Sequence, residues 1–360
     1  MDDLEKNMNS NITQYELKKK KCTLVFFVLL IAILATILAT VGFGAMEIGY
    51  RDIVNIIWGK LTNNMMILRA YPQNEIAVVW DIRLPRILCA FFVGLGLAVS
   101  GAVFQSLLRN PLADPYTLGV SGGAAFGASL AIYLGITYGM MFSVVNMAFI
   151  FSSMTLFFVI MIAQRGGGLY STSLIISGII VSSILSSGVS FLKMLAGENV
   201  SAIVFWLMGS LSGSSWQEVA VVGTIIPVSC LIIWCFANDL DVMTLGEDTA
   251  LSLGINTKRI RLILLILGAA ITASCVAVSG IIGFIGLIVP HMLRFWLTSS
   301  NRSLIPLSAL LGGFILLIAD SVARVVSASG IPVGLLTNLF GGPFFIYIFL
   351  KKQKGGSGVE

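Results

Sequence analysis

Few residues in this chain could do chemistry, and their spacing suits none of the familiar reactions. The one histidine, His291, follows Pro290 with no HExxH spacing and no acidic or cysteine cluster beside it. A metal site there lacks ligands, and a structural hydrogen-bonding role near a helix end is the simpler reading. The five cysteines (Cys22, Cys89, Cys230, Cys235 and Cys275) form no CxxC pair, and four lie in apolar stretches where they pack as small hydrophobes. There is no GxxxxGK[ST] loop, so ATP hydrolysis is not expected of this chain. No nucleophile, base or metal constellation appears, so no catalytic residue and no cofactor or metal site is expected. Carboxylates within apolar stretches are almost missing, Asp320 being the clearest. A proton relay through a bilayer therefore lacks parts, and Asp320 most simply pairs with Arg324, four residues on, at the outer end of a span.

Three stretches are unusual for the number of special residues they hold. They are Arg83-Leu84-Pro85-Arg86; Arg109-Asn110-Pro111-Leu112-Ala113-Asp114-Pro115 followed by Gly119-Val120-Ser121-Gly122-Gly123; and Gly280-Ile281-Ile282-Gly283-Phe284-Ile285-Gly286-Leu287-Ile288-Val289-Pro290-His291. Prolines remove backbone donors and glycines permit close approach, so each stretch predicts a break in regular structure. At membrane depth such breaks are tolerated only when buried in protein or lining a cavity.

The elements that must position these stretches follow from composition. The chain has 360 residues, 57% hydrophobic and only 11% charged. A soluble fold of that length would lack charges for its surface, so an all-α integral membrane protein is expected. A barrel is excluded because the apolar runs reach twenty residues or more without alternation. Charge-free intervals fall at 22–46, 87–108, 115–164, 166–192, 219–238, 262–293, 303–319 and 325–350. The fifty-residue interval must fold back once, near Gly135 to Gly139. Whether 262–293 holds one helix or two is open from hydropathy, although Gly280, Gly283, Gly286 and Pro290 argue for a break.

Charge bias favours ten spans, because an even count places Lys18 to Lys21 and the terminal Lys351-Lys352-Gln353-Lys354 on one side. With ten, the inside carries Lys6, Lys18 to Lys21, Arg109, Arg165, Lys258, Arg259, Arg261, Arg294, Arg302, Lys351, Lys352 and Lys354, which is fifteen of the 22 basic residues. Net charge of +5 is thus explained by topology, and nucleic acid is not an expected partner. Residues 1–21 are expected to form a basic cytoplasmic extension ahead of an uncleaved first span, 22–350 the ten-span domain, and 351–360 a cytoplasmic tail whose Gly355 to Gly358 reads as linker.

Two segments outside the spans are long. Residues 47–82, on the outside, are polar with a Tyr-Pro turn. Residues 239–257, on the inside, interleave Leu240, Met243, Leu251 and Leu253 with Asp239, Asp241, Glu247 and Asp248, and Gly246 and Gly254 punctuate two short helical turns. Their acidic character suits a protein partner better than an anionic leaflet. Within the spans, Gly94, Gly96, Ser100 and Gly101 read as close-packing positions. Ser177, Ser182, Ser183, Ser186 and Ser187 could pack likewise or line a wet path. Ala98-Val99-Ser100-Gly101 recurs as Ala277-Val278-Ser279-Gly280 in spans of opposite direction, as an inverted repeat would have it.

At these residues the chain resembles the membrane permeases of ABC importers for iron-siderophore complexes, haem and cobalamin. The resemblance is carried by Arg83-Leu-Pro-Arg86, Ser100-Gly101 with Gln105, Asn110-Pro-Leu-Ala-Asp-Pro115, Leu118-Gly-Val-Ser-Gly-Gly-Ala124, Thr244-Leu-Gly-Glu247, Gly283-Phe-Ile-Gly-Leu-Ile-Val-Pro-His291 with Arg294, Ala319-Asp320 with Ala323-Arg324, and Ile331-Pro-Val-Gly334 with Gly342-Pro-Phe344. It implies a ten-span permease in a bacterial cytoplasmic membrane, both termini cytoplasmic, paired with a second, identical or homologous, permease subunit. Two ATP-binding subunits and an extracytoplasmic substrate-binding protein are the implied partners. Residues 239–257 match the coupling helices that dock on the ATPase, with Leu245, Gly246, Glu247, Leu251 and Gly254 at the contact. Asn110, Leu112, Ser171 and Thr172 match the inner gate, and Arg83, Arg86 and Arg324 match outer arginines that receive acids of the binding protein. Without that partner, Arg83 would pair with Asp81 and Arg324 with Asp320. A ferric siderophore is the first expectation for cargo, with haem and cobalamin behind; the alternatives are an ion-gradient-driven secondary transporter and, third, a membrane enzyme.

Overall fold

A computed structural model describes residues 2–44, 46–326 and 331–356, so the end of the linker-like tail, 357–360, lies outside the described residues. The described elements are helices throughout. The first, α1 (Asp2–Gly42), carries the basic extension directly into the first span as continuous helix. At the far end of that span follow α2 (Tyr50–Leu61), α3 (Met65–Leu68) and α4 (Gln73–Ala77), then a π-helical turn, Val78–Arg83, leading into α5 (Leu84–Leu107). Segment 47–82 is therefore a helical layer that tucks Ile53 and Ile56 of α2 inward. The helix of the second span starts at Gln73, about four turns before the predicted Ile87, because Asp81, Arg83 and Arg86 interrupt the charge-free run without interrupting the helix.

The remaining spans keep the expected order. They are α6 (Val120–Tyr138), α7 (Val144–Arg165), α8 (Ser171–Ala196), α10 (Trp216–Cys235), α13 (Thr257–Ser279), α14 (Ile285–Trp296), α15 (Asn301–Val326) and α16 (Val333–Gly356), with a short α9 (Val200–Leu207) after α8. Among the described residues, eight apolar helices are long enough to cross a bilayer, and α14 and α16 supply two shorter apolar segments, matching the ten predicted. The α6–α7 reversal falls where predicted: Gly139, at φ +68°, donates its N–H to Gly135 O. The last helix runs through Gly355 and Gly356, where a linker was expected.

The break in 262–293 is also present. Helix α13 stops at Gly280 and α14 resumes after Phe284. At 1.5 Å per residue α14 is about 18 Å long, too short for a hydrocarbon core of about 30 Å. The residues between the helices do not run extended: Phe284 sits at φ +69° and Ile285 N–H bonds Gly283 O, so the chain turns there and α14 remains a half-length apolar helix.

Helix α5 forms the centre of the bundle, with α10, α13, α14 and α15 packed around it. Apolar burial does not by itself draw helices together in lipid, so contact depends on close approach of small residues. At Gly101 a Cβ would lie 1.9 Å from the Gly286 carbonyl oxygen, so α5 and α14 touch backbone to backbone there. At the inner end, α5 closes with Arg109 N–H on Ser106 O and Asn110 N–H on Gln105 O, a Schellman stop that holds Arg109 at φ +50°.

Candidate functional site

The two irregular stretches of the inner half meet. Breaking the chain at Gly280 to Phe284 frees backbone groups that water cannot reach, and Tyr116 answers both at one residue: its hydroxyl donates to Ile282 O (2.7 Å) and accepts from Ile282 N (3.2 Å). Ser210 N donates to Ser279 O, and Gly209 accepts from Gly334 N. Gly209 and Gly280 both take positive φ and lie so close that a Cβ on either would strike the other segment's backbone. From the α5 side, Gln105 Nε2 donates to Leu287 O at 3.1 Å. The Asn110–Gly119 loop is thus fastened to the break, which in turn is fastened to α9, α14 and the start of α16.

The loop is internally braced as well. Asn110 Oδ1 accepts from Leu112 N, and Asp114 accepts from Tyr116 N while its own N–H reaches Thr117 Oγ1. Burial pushes the Asp114 carboxyl up to about 6, with the Tyr116 N–H opposing. A native pKa above the unfolded value means that the native state binds more protons between about pH 4 and 6, so stability falls as pH rises through that window. Asp114→Asn keeps the acceptor and removes the charge. It should gain about 1–3 kcal/mol at pH 7.5 and little at pH 4, as read by thermal unfolding of purified permease at both values; a pH-independent difference would contradict the burial cost.

Of the predicted gate residues, Leu112 and Thr172 are exposed, Asn110 and Ser171 half-buried. The loop reaches α8 deeper in, where Thr117 and Leu118 press on Gly178 and Gly119 on Ser182. Ser177 and Ser182 therefore pack, whereas Ser183, Ser186, Ser187 and Ser190 are exposed. Their spacing of three and four puts them on one stripe of α8 that none of the described residues covers.

At the end of the bundle predicted to face inward, 239–257 forms α11 (Ala237–Leu245) and α12 (Glu247–Ser252), with Gly246 at φ +142° between them and Gly254 at φ +80° ending the second. Leu240 and Met243 are buried, but Leu251 and Leu253 project outward, as does Leu245 at 73% exposure. The predicted contact residue Glu247 faces inward, accepting from Arg261 (3.2 Å) and Thr257 (3.3 Å). Asp241, not singled out for a role in the sequence, is a clamp: Asn301 N, Asn301 Nδ2 and Ser300 Oγ all donate to it at 2.7 to 2.8 Å. The fully buried Asn301 accepts in turn from Ser106 of α5, and Arg294 of α14 donates to Ser106 and to Ala102 O. Four elements, α11, α15, α5 and α14, are joined by one hydrogen-bonded chain. A polar run, Thr298-Ser299-Ser300-Asn301, before an apolar span was the available signal.

At the opposite end of the bundle the Arg83–Asp81 pair, expected in the absence of a partner, does not form. Arg83 is only 4% exposed and donates to Val41 O (2.7 Å), Gly42 O and Met46 O, satisfying carbonyls that the end of α1 leaves orphaned. Arg86 grips Asp320 from two nitrogens, the shorter contact at 2.8 Å. Arg324 lies 3.3 Å from the same carboxylate, as the four-residue spacing predicts, and also reaches Thr40 O. All three arginines are thus engaged within the chain, Arg86 and Arg324 on the one buried anion and Arg83 on backbone carbonyls. His291 sits beside Phe345, 6.0 Å between ring centroids.

The FecCD transport family model matches residues 29–351. The hemin transport system permease protein HmuU of Yersinia pestis is 36% identical over 339 residues, covering 92% of this chain and 96% of its own. The cobalamin import system permease protein BtuC of Halobacterium salinarum is 39% identical over 282 residues, 78% of this chain and 76% of the relative. A solved inward-facing structure, described as a metal-chelate type ABC transporter, superposes with a TM-score of 0.78 at 32% identity over 91% of this chain and 99% of that one. With the ten apolar segments, the broken helix and the paired inner helices in place, the chain belongs to the FecCD transport family and is a membrane-embedded permease of an ABC importer of the metal-chelate type.

Proposed function

We propose that the permease moves a ferric siderophore, or a chelate of similar bulk such as haem or cobalamin, into the cytoplasm. In this reading it works with a second permease subunit, two ATP-binding subunits and an extracytoplasmic binding protein. The observation that carries the reading is the uncovered serine stripe of α8. Hydroxyls facing lipid would gain nothing, whereas a second permease subunit placed opposite would turn the stripe into the wall of a path. Such a wall offers many weak contacts and no strong ligand, which suits a large cargo that must pass without being held. Leu245, Leu251 and Leu253 are the knobs offered to the ATP-binding subunits on the cytoplasmic side, and the Asn110–Gly119 loop with Ser171 and Thr172 is the inner gate.

The test is uptake into proteoliposomes holding permease and ATP-binding subunits, with the binding protein outside. Ferric siderophore should accumulate only when ATP is supplied on the face that carries α11 and α12, and a panel with haem and cobalamin ranks the cargo. Uptake driven by a proton or sodium gradient without nucleotide would replace this reading with a secondary transporter.

For the outer arginines, the reading is a fixed positive field that steers acidic residues of the binding protein, since Asp320 offsets only one of the two cations paired with it and Arg83 meets only backbone carbonyls. Arg324→Gln should slow binding-protein association several-fold at low salt and less at high salt. Lost permease stability with association unchanged at every salt concentration would make the cluster purely internal.

A further inference from the structure

A cavity of about 600 Å³ opens where the α7–α8 turn meets the start of α13, lined by Gln164, Gly167 to Tyr170, Glu247, Asn256, Lys258, Arg259, Arg261 and Leu262. Its charge is unbalanced. Glu247, its only acid, is taken up by Arg261, while Lys258 and Arg259 are exposed and have no acidic partner among the described residues. These cations also stand in the first turns of α13, where no acidic residue offsets them and where the helix's own positive end already disfavours a cation. A topological preference for the inner side asks only that basic residues stay in water. It does not ask that three of them converge on one walled pocket.

We propose that this pocket binds a phosphate-bearing anion, the headgroup of an anionic phospholipid of the adjoining leaflet. Lys258 and Arg259 would take the phosphate oxygens, with Asn256 and Gln164 as further polar groups on the pocket wall. A lipid fits better than free phosphate because Leu169, Leu262 and Tyr170 continue the wall at the ends of membrane spans, giving the glycerol and upper acyl chains an apolar surface and an interfacial aromatic. The proposal depends on the chain spanning a bilayer and not on which chelate it carries or which way it faces, so it can fail while the transport reading stands.

The experiment is native mass spectrometry of the permease purified with its ATP-binding subunits from nanodiscs holding equal phosphatidylglycerol and phosphatidylcholine. Phosphatidylglycerol should be retained at least fivefold over phosphatidylcholine. The double variant Lys258→Gln/Arg259→Gln, which leaves the Arg261–Glu247 pair intact, should lose that preference. A parallel arm measures thermal stability with added phosphatidylglycerol or inorganic phosphate, and only the lipid should raise the wild-type melting temperature. Equal retention of the two lipids, or a preference unchanged in the double variant, would overturn the site. Equal stabilisation by inorganic phosphate would overturn the lipid assignment. Unchanged lipid retention with loss of the ATP-binding subunits from the variant would assign Lys258 and Arg259 to that interface instead.

Discussion

Asp320→Ala is expected to destabilise the permease by about 3–5 kcal/mol, because it leaves two nearly buried guanidiniums facing each other with no anion between them. Asp320 is 1% exposed and is the common partner of Arg86 and Arg324. Its loss also affects α1, whose terminal carbonyls rely on Arg324 and Arg83. The comparison that isolates the charge is Arg86→Gln/Asp320→Asn, which removes one charge of each sign and should recover a good part of the loss of Asp320→Asn alone. Denaturant or thermal unfolding of the purified protein reads both. If Asp320→Ala unfolds within about 1 kcal/mol of wild type, the cluster is wet enough to be screened and the burial argument fails.

The second large effect is expected at Asp241. Three donors converge on its carboxylate, two of them from the fully buried Asn301, and each unsatisfied buried group costs about 1–3 kcal/mol. Asp241→Ala should therefore loosen α11 from α15 and α5 without touching the exposed leucines that face outward. In the assembled importer this predicts ATP-binding subunits that still co-purify, ATP hydrolysis that continues, and substrate uptake per ATP reduced at least tenfold. Leu245→Asp with Leu251→Asp should give the opposite defect, loss of the subunits themselves. Unchanged uptake per ATP in Asp241→Ala would show that the clamp only supports the fold.

Element order was legible because apolar runs, glycine breaks and basic ends are all local signals, and the break at Gly280 and the stop at Gly254 could be read from single residues. Partners were not. A charge in the sequence states its sign and not which carbonyl lies near it, so the one partner within the chain that the sequence offered Arg83 was Asp81, two residues away, when its partners are some forty residues earlier, at and just past the end of α1. The same limit hid Tyr116, whose hydroxyl matters only because the break folds back onto it, and Asn301, which reads as an ordinary polar residue before a helix. It also hid the partner of Glu247, which belongs to a matched motif and accepts from Arg261. The start of the second span was missed for a related reason: a charge whose partners are in the chain does not end a membrane helix.

The outer cluster also sets an order of events during synthesis. Arg86 and Asp320 are 234 residues apart, and Arg324 reaches back 284 residues to Thr40. At about 5–20 residues per second, a ribosome takes roughly 10–50 s to travel from the arginine to its counter-ion. Throughout that interval the second span sits in the bilayer with its cation unanswered and the first span's end is held by Arg83 and Tyr50 without Arg324. The cluster therefore closes late, once α15 is in place and with α16 still to follow, and a chain shorter than that is told from a longer one by a single missing carboxylate.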